Sequence, residues 1–185
     1  MATMATPICD FGWKAKEFTL KDGWGNTFHL HDLRGPNGTL VMFICNHCPY
    51  VRAIAPRIAR DALDLQKLGI GVIGVMPNDY QRYPEDSPKH MRAFATEHGF
   101  SFPYLVDETQ AVARAYGAVC TPDFFGFNRE MELHYRGRLD ASRMAPIADA
   151  RRDLFEAMIQ IAETGHGPEA QIASMGCSIK WREEG

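Results

Sequence analysis

One stretch constrains the fold of this chain more than any other. The run Thr39-Leu40-Val41-Met42-Phe43-Ile44 leads directly into Cys45-Asn46-His47-Cys48-Pro49. A short continuous apolar run suits a strand covered on both faces. Pro49 suits the first position of a helix. Val51, Ile54, Ala55, Ile58, Ala62 and Leu65 then recur at helical spacing. Pro56 falls inside that pattern and is expected to kink the helix, and Gly69 to end it. A doubly covered strand that hands two thiols to a helix start requires layers of helix on both sides of a sheet.

The rest of the chain extends this pattern. Phe18-Thr19-Leu20 and Thr27-Phe28-His29-Leu30 flank a turn-rich segment and predict a hairpin. Ile70 to Met76 reads as a second buried strand. Ser87-Pro88 opens a helix that stops at Gly99. Phe102 to Val106 reads as a strand, placed at an edge because of Pro103. Asp107 with Gln110 resembles a capping box for a helix ending at Gly117. Asp123 to Asn128 and Glu132 to Leu139 read as two strands joined by a turn, and Pro146 to Glu163 as the last long helix. The tail, Gly165 to Gly185, has no clear period. The expectation is one α/β domain over residues 1–185, with its core at about 12–164. It has a mixed central sheet flanked by helices and an N-terminal β-hairpin extension.

Composition narrows the partners. The formal net charge of -3 gives no basic face for nucleic acid or an anionic membrane surface. No apolar run is long enough to span a bilayer. The first residues have neither a basic start nor an apolar segment, so a cytoplasmic location is expected. Five cysteines, Cys9, Cys45, Cys48, Cys120 and Cys177, are too few and too scattered for a disulfide scaffold.

Cys45 and Cys48 are spaced so that their sulfurs meet across one turn. A helix start offers unpaired N–H groups that stabilise a thiolate, and an imidazolium at His47 would do the same. These residues make an exchangeable dithiol. Zinc knuckles share the Cys-x-x-Cys spacing, but they need a second Cys or His pair at similar spacing, which this chain lacks.

The string Cys45-Asn46-His47-Cys48-Pro49-Tyr50-Val51 resembles the thioredoxin superfamily. Within it, the string is similar to the peroxiredoxin-like branch of the alkyl hydroperoxide reductase/thiol-specific antioxidant and redoxin families. Gly176-Cys177-Ser178-Ile179-Lys180-Trp181 is similar to a tail motif of that branch. The resemblance implies a thioredoxin-like fold, with a cis-proline loop facing the cysteines. Thr121-Pro122 matches that loop, and Thr121 would contact the substrate chain.

Two departures stand out. A Pro-x-x-x-Thr-x-x-Cys pattern ending at Cys48 would need Thr at Cys45 and Pro at Val41. The buried acid that precedes the cysteines in thioredoxin has no counterpart between Thr39 and Ile44.

The expected function is thiol–disulfide exchange through a mixed disulfide. Cys45 attacks from an exposed position, Cys48 resolves and His47 tunes. No organic cofactor is implied, and the partners are a dithiol reductant or a disulfide-containing protein. Two other readings stay open: a thiol peroxidase, and a metal-binding or redox-sensing module using Cys45, His47, Cys48 and Cys120. Cys120 and Cys177 are possible auxiliary thiols. Gly69-Ile70-Gly71-Val72-Ile73-Gly74 runs into a strand rather than a helix, so it is not a dinucleotide loop. His29 and His31 read as ordinary side chains on a solvated hairpin.

Overall fold

The apolar run before the cysteines forms β4 (Gly38–Phe43) of the computed structural model, which describes residues 2–183. Every residue of β4 is buried. It pairs in parallel with β5 (Ile70–Met76) and antiparallel with β8 (Asp123–Phe127). Fully burying large side chains such as Phe43, Phe124 and Ile73 contributes about 1.5–3 kcal/mol each, which fixes this strand at the centre.

Two further strands extend the sheet on one side. β6 (Tyr104–Val106) pairs in parallel with β5, and the hairpin of β2 (Thr19–Asp22) and β3 (Thr27–His29) adds outside it. β9 (Leu133–Tyr135) closes the other edge next to β8. The mixed sheet therefore has seven strands. The edge position expected for the strand at 102–106 is not observed. Pro103 lies before the first paired residue, so its missing N–H removes nothing from the ladder, and its carbonyl accepts from Gly74 N–H at 2.9 Å.

Helices cover both faces. A short turn, α1 (Leu30–Leu33), takes His31 off the strand, and its ring stacks on that of His29 at 5.4 Å. The helix after the cysteines is broken as Pro56 requires. α2 (Pro49–Arg52) is a single turn, and α3 (Ala55–Lys67) restarts with Pro56 in its first turn. α3 buries Ala55, Ile58, Ala62 and Leu65 on one stripe. α4 (Pro88–His98) and α5 (Ala111–Tyr116) follow the expected boundaries closely.

Three more expectations are corrected. The last helix, α6, spans Asp153–Thr164 and does not begin at Pro146. The residues before it have no buried stripe, since Met144 and Ile147 face solvent, and Asp149 sits at φ 55°. Second, Asp107 and Gln110 form no capping box. Asp107 does cap α5, accepting from Ala113 N–H at 2.8 Å. Gln110 instead turns inward, and its amide donates to the carbonyls of Pro77 at 2.8 Å and Lys180 at 2.9 Å. Third, the tail is not structureless. β10 (Met175–Ser178) lies between β1 (Thr3–Ala5) and β7 (Cys120–Thr121) in a second, three-stranded sheet. That sheet closes over the end of β4, where the cysteines lie.

Candidate functional site

β4 ends as Ile44 N–H donates to Val75 O at 3.0 Å, and the chain then leaves the sheet edge at Cys45. The Cys-x-x-Cys loop is locked from below. Asn46 N–H donates to Asp86 Oδ1 at 2.8 Å, and Asn46 Oδ1 accepts from Tyr104 Oη at 2.8 Å. Arg52 holds the Asn46 carbonyl at 3.1 Å. Cys48 takes the N-cap position of α2, and its carbonyl accepts from Val51 and Arg52.

The Thr121–Pro122 peptide is cis, and its loop faces the cysteines. Thr121 Oγ1 lies 3.4 Å from Cys45 Sγ, and Thr121 O lies 3.2 Å from Cys48 Sγ. Cys177, on β10, reaches the same place from the tail, with its sulfur 2.9 Å from that of Cys48. Cys45, Cys48 and Cys177 therefore form one cluster, and Cys120 stands apart from it. Its thiol meets the Pro122 carbonyl at 3.6 Å, and burial raises its pKa. Cys120 behaves as a small buried apolar side chain.

The two thiols of the pair sit in different electrostatic surroundings. Cys45 is 1% exposed, not the open first position expected from the sequence. Burial raises its pKa well above the ordinary value, and its hydrogen bond to Cys48 adds to this. Cys48 is pushed down to about 5, chiefly by that same bond from Cys45. The Cys177 thiol and the backbone N–H groups of Cys177 and Val51 add to the effect, against the cost of burial. The Thr121 carbonyl receives a hydrogen bond only from the neutral thiol, so it opposes the thiolate. Because α2 is one turn long, hydrogen bonds rather than a long helix dipole set this thiolate.

His47 lies over Tyr83, with rings 6.0 Å apart and an interplanar angle of 3°. Its Nδ1 is 2.7 Å from Asp86 Oδ2, a charge contact rather than a well-aligned hydrogen bond. The Asp86 contact raises the His47 pKa. Asp86 is fully buried and also accepts from Asn78 Nδ2 at 2.9 Å. It comes from a short turn at Pro84–Asp86, about forty residues beyond the cysteines. Sequence reasoning missed Asp86, because nothing in its own neighbourhood marks it as buried. It places a buried carboxylate against the cysteine loop, where the strand before the cysteines has no acid.

Donor atoms of Cys45, His47 and Asp86 lie within 4.8 Å of one another. Sulfur, nitrogen and oxygen donors at this spacing suit a zinc-like ion. Among the described residues, the grouping of Cys45, His47, Cys48 and Cys120 expected from the sequence does not assemble.

A mixed sheet with a cis-proline loop facing a Cys-x-x-Cys pair defines a thioredoxin-fold protein. The family model described as AhpC/TSA family matches residues 11–136, and the chain belongs to that family. A crystal structure of a conserved protein from Geobacillus kaustophilus is similar over 100% of this chain and 99% of its own. It shows 40% identity and a TM-score of 0.93. A Mycobacterium tuberculosis protein provisionally named a peroxiredoxin is 29% identical over 62% of this chain and 68% of its own length. A thiol–disulfide oxidoreductase of Halalkalibacterium halodurans is 27% identical over 66% of this chain, which spans 65% of that protein.

Proposed function

We propose that this protein is a thiol–disulfide oxidoreductase in which Cys48 is the attacking thiolate and Cys45 the resolving thiol. One observation carries the assignment. The Cys45 and Cys177 sulfurs converge on Cys48 at the N-cap of α2, and the pKa of Cys48 is lowered while that of Cys45 is raised. The relatives named as a peroxiredoxin and as a thiol–disulfide oxidoreductase support redox chemistry at this site.

Cys48 Sγ attacks a substrate disulfide, forms a mixed disulfide and releases one thiolate. Cys45 Sγ then attacks Cys48 Sγ and releases the second thiolate, leaving a Cys45–Cys48 disulfide. Two electrons pass to the substrate, which departs as two thiols. The proton of Cys45 has an acceptor beside it in the His47–Asp86 pair whenever the imidazole is neutral. Run in reverse with a partner dithiol, the same steps restore the reduced protein. Thr121 is the backbone position against which a bound chain would lie.

A peroxide reading has one observation in its favour. Cys48 is fully buried, and a small hydroperoxide reaches such a sulfur more easily than a folded protein does. In that case Cys48 takes oxygen to become a sulfenic acid, an alcohol or water leaves, and Cys45 closes the disulfide with loss of water.

The test is trapping. Treated with hydroxyethyl disulfide, the Cys45→Ser, Cys177→Ser protein should hold a stable hydroxyethylthio adduct on Cys48. An adduct at Cys45 in Cys48→Ser, Cys177→Ser, with none at Cys48 in the first variant, would reverse the assignment.

A further inference from the structure

β10 fills the backbone edge beside the reactive thiols. It pairs antiparallel with β7, and Cys177 stands opposite Thr121. A sheet edge next to an active thiol is where an extended polypeptide would add as a strand. Here the chain's own tail takes that place and brings a cysteine to Cys48. The fit requires Gly176, because a Cβ at that position would run into the Thr121 carbonyl. The docking is reinforced on its outer side. β1 pairs along β10, Thr3 Oγ1 lies 3.3 Å from Tyr50 Oη, and Ser174 Oγ donates to Pro122 O at 2.7 Å. Further along, Asn78 Oδ1 accepts from Lys180 N–H at 2.9 Å, and Gln110 Oε1 accepts from Arg182 N–H at 2.9 Å. The tail is therefore built onto the site.

We propose that β10 is an internal stand-in for a substrate strand and that Cys177 is a second resolving thiol, competing with Cys45 for the mixed disulfide on Cys48. This rests on Cys48 being the attacking group. Cys48 first displaces one thiolate from a small disulfide. Cys177 Sγ then attacks Cys48 Sγ, and the Cys177 proton passes to the departing thiolate, which leaves as a thiol. The Cys48–Cys177 disulfide holds the two electrons' worth of oxidation. Attack of Cys45 on Cys48 Sγ moves the bond to Cys45–Cys48 and frees Cys177, with no net electron transfer. Once Cys177 is free, β10 is held only by its strand pairing and flanking bonds, and its departure opens the β7 edge to a polypeptide.

The test uses the full chain with hydroxyethyl disulfide, followed by digestion and mass mapping. Cys45→Ser should lose its adduct and accumulate a Cys48–Cys177 cross-link, whereas Cys45→Ser, Cys177→Ser keeps the adduct. Adding Gly176→Ala to Cys45→Ser should lower the cross-link yield. It should also raise the rate of reaction of Cys48 with the bulkier oxidised glutathione by about tenfold, the change in opening that ~1.4 kcal/mol of lost docking gives. A persistent Cys48 adduct with free Cys177 in Cys45→Ser would overturn the inference while leaving Cys48 as the nucleophile. No adduct on Cys48 in Cys45→Ser, Cys177→Ser would overturn both.

Discussion

Cys48 and Cys177 lie 129 positions apart in the chain and bring their sulfurs to 2.9 Å. Cys45 bonds the same Cys48 sulfur from within its own loop. Two thiols thus converge on one sulfur. In the assignment proposed above, that arrangement offsets the desolvation that would penalise a lone thiolate at Cys48. It also places either neighbour to attack once Cys48 is in a mixed disulfide.

The His47–Asp86 contact should make stability depend on pH. Asp86 raises the folded-state pKa of His47 above its ordinary 6.5. The stabilisation is therefore complete below about that value and is lost as pH rises through the folded-state pKa. Melting temperatures measured from mildly acidic to mildly alkaline buffer should fall more steeply for the native protein than for His47→Gln. Parallel curves would show that the contact is not linked to folding.

Arg136 and Asp123 form a buried pair directly after the cis-proline. Arg136 Nη2 and Nε donate to the two carboxylate oxygens at 2.9 and 3.2 Å, and Nη2 also reaches Gly117 O at 2.9 Å. Asp123→Ala leaves the guanidinium buried without its partner and should cost about 3–5 kcal/mol. Urea unfolding measures this, and a loss below about 1 kcal/mol would mean that water or another group takes the charge.

Cys120 should be silent in the redox chemistry. Its thiol is buried and raised, and it bonds a carbonyl rather than the thiol cluster. Cys120→Ala should leave the reduction potential unchanged and cost about 1 kcal/mol of stability. A shifted potential would return Cys120 to the site.

The central strand, the dithiol loop, the Pro56 break and the facing Thr121–Pro122 loop were legible because each is written in contiguous residues. The edge order of the sheet was not, since Pro103 lies just outside the strand pairing and so does not mark an edge. The start of α6 was misread because Met144 and Ile147 mimic an apolar stripe that nothing covers. Asp86 and β10 were hidden for a different reason. Their roles come from contacts across the fold, and a four-residue strand carries too little pattern to announce its partner. The order of Cys45 and Cys48 proposed here meets the same limit. It rests on which sulfurs and N–H groups converge on Cys48, Cys45 first and then Cys177 and Val51, and motif order does not contain them.

The most direct measurement of the account is a titration of thiolate by its ultraviolet absorbance in the native protein, Cys48→Ser and Cys45→Ser. One thiolate should titrate far below the ordinary 9.0, toward about 5, and should be absent from Cys48→Ser. A low-pH thiolate that persists in Cys48→Ser and vanishes only in Cys45→Ser would make Cys45 the nucleophile and contradict the account.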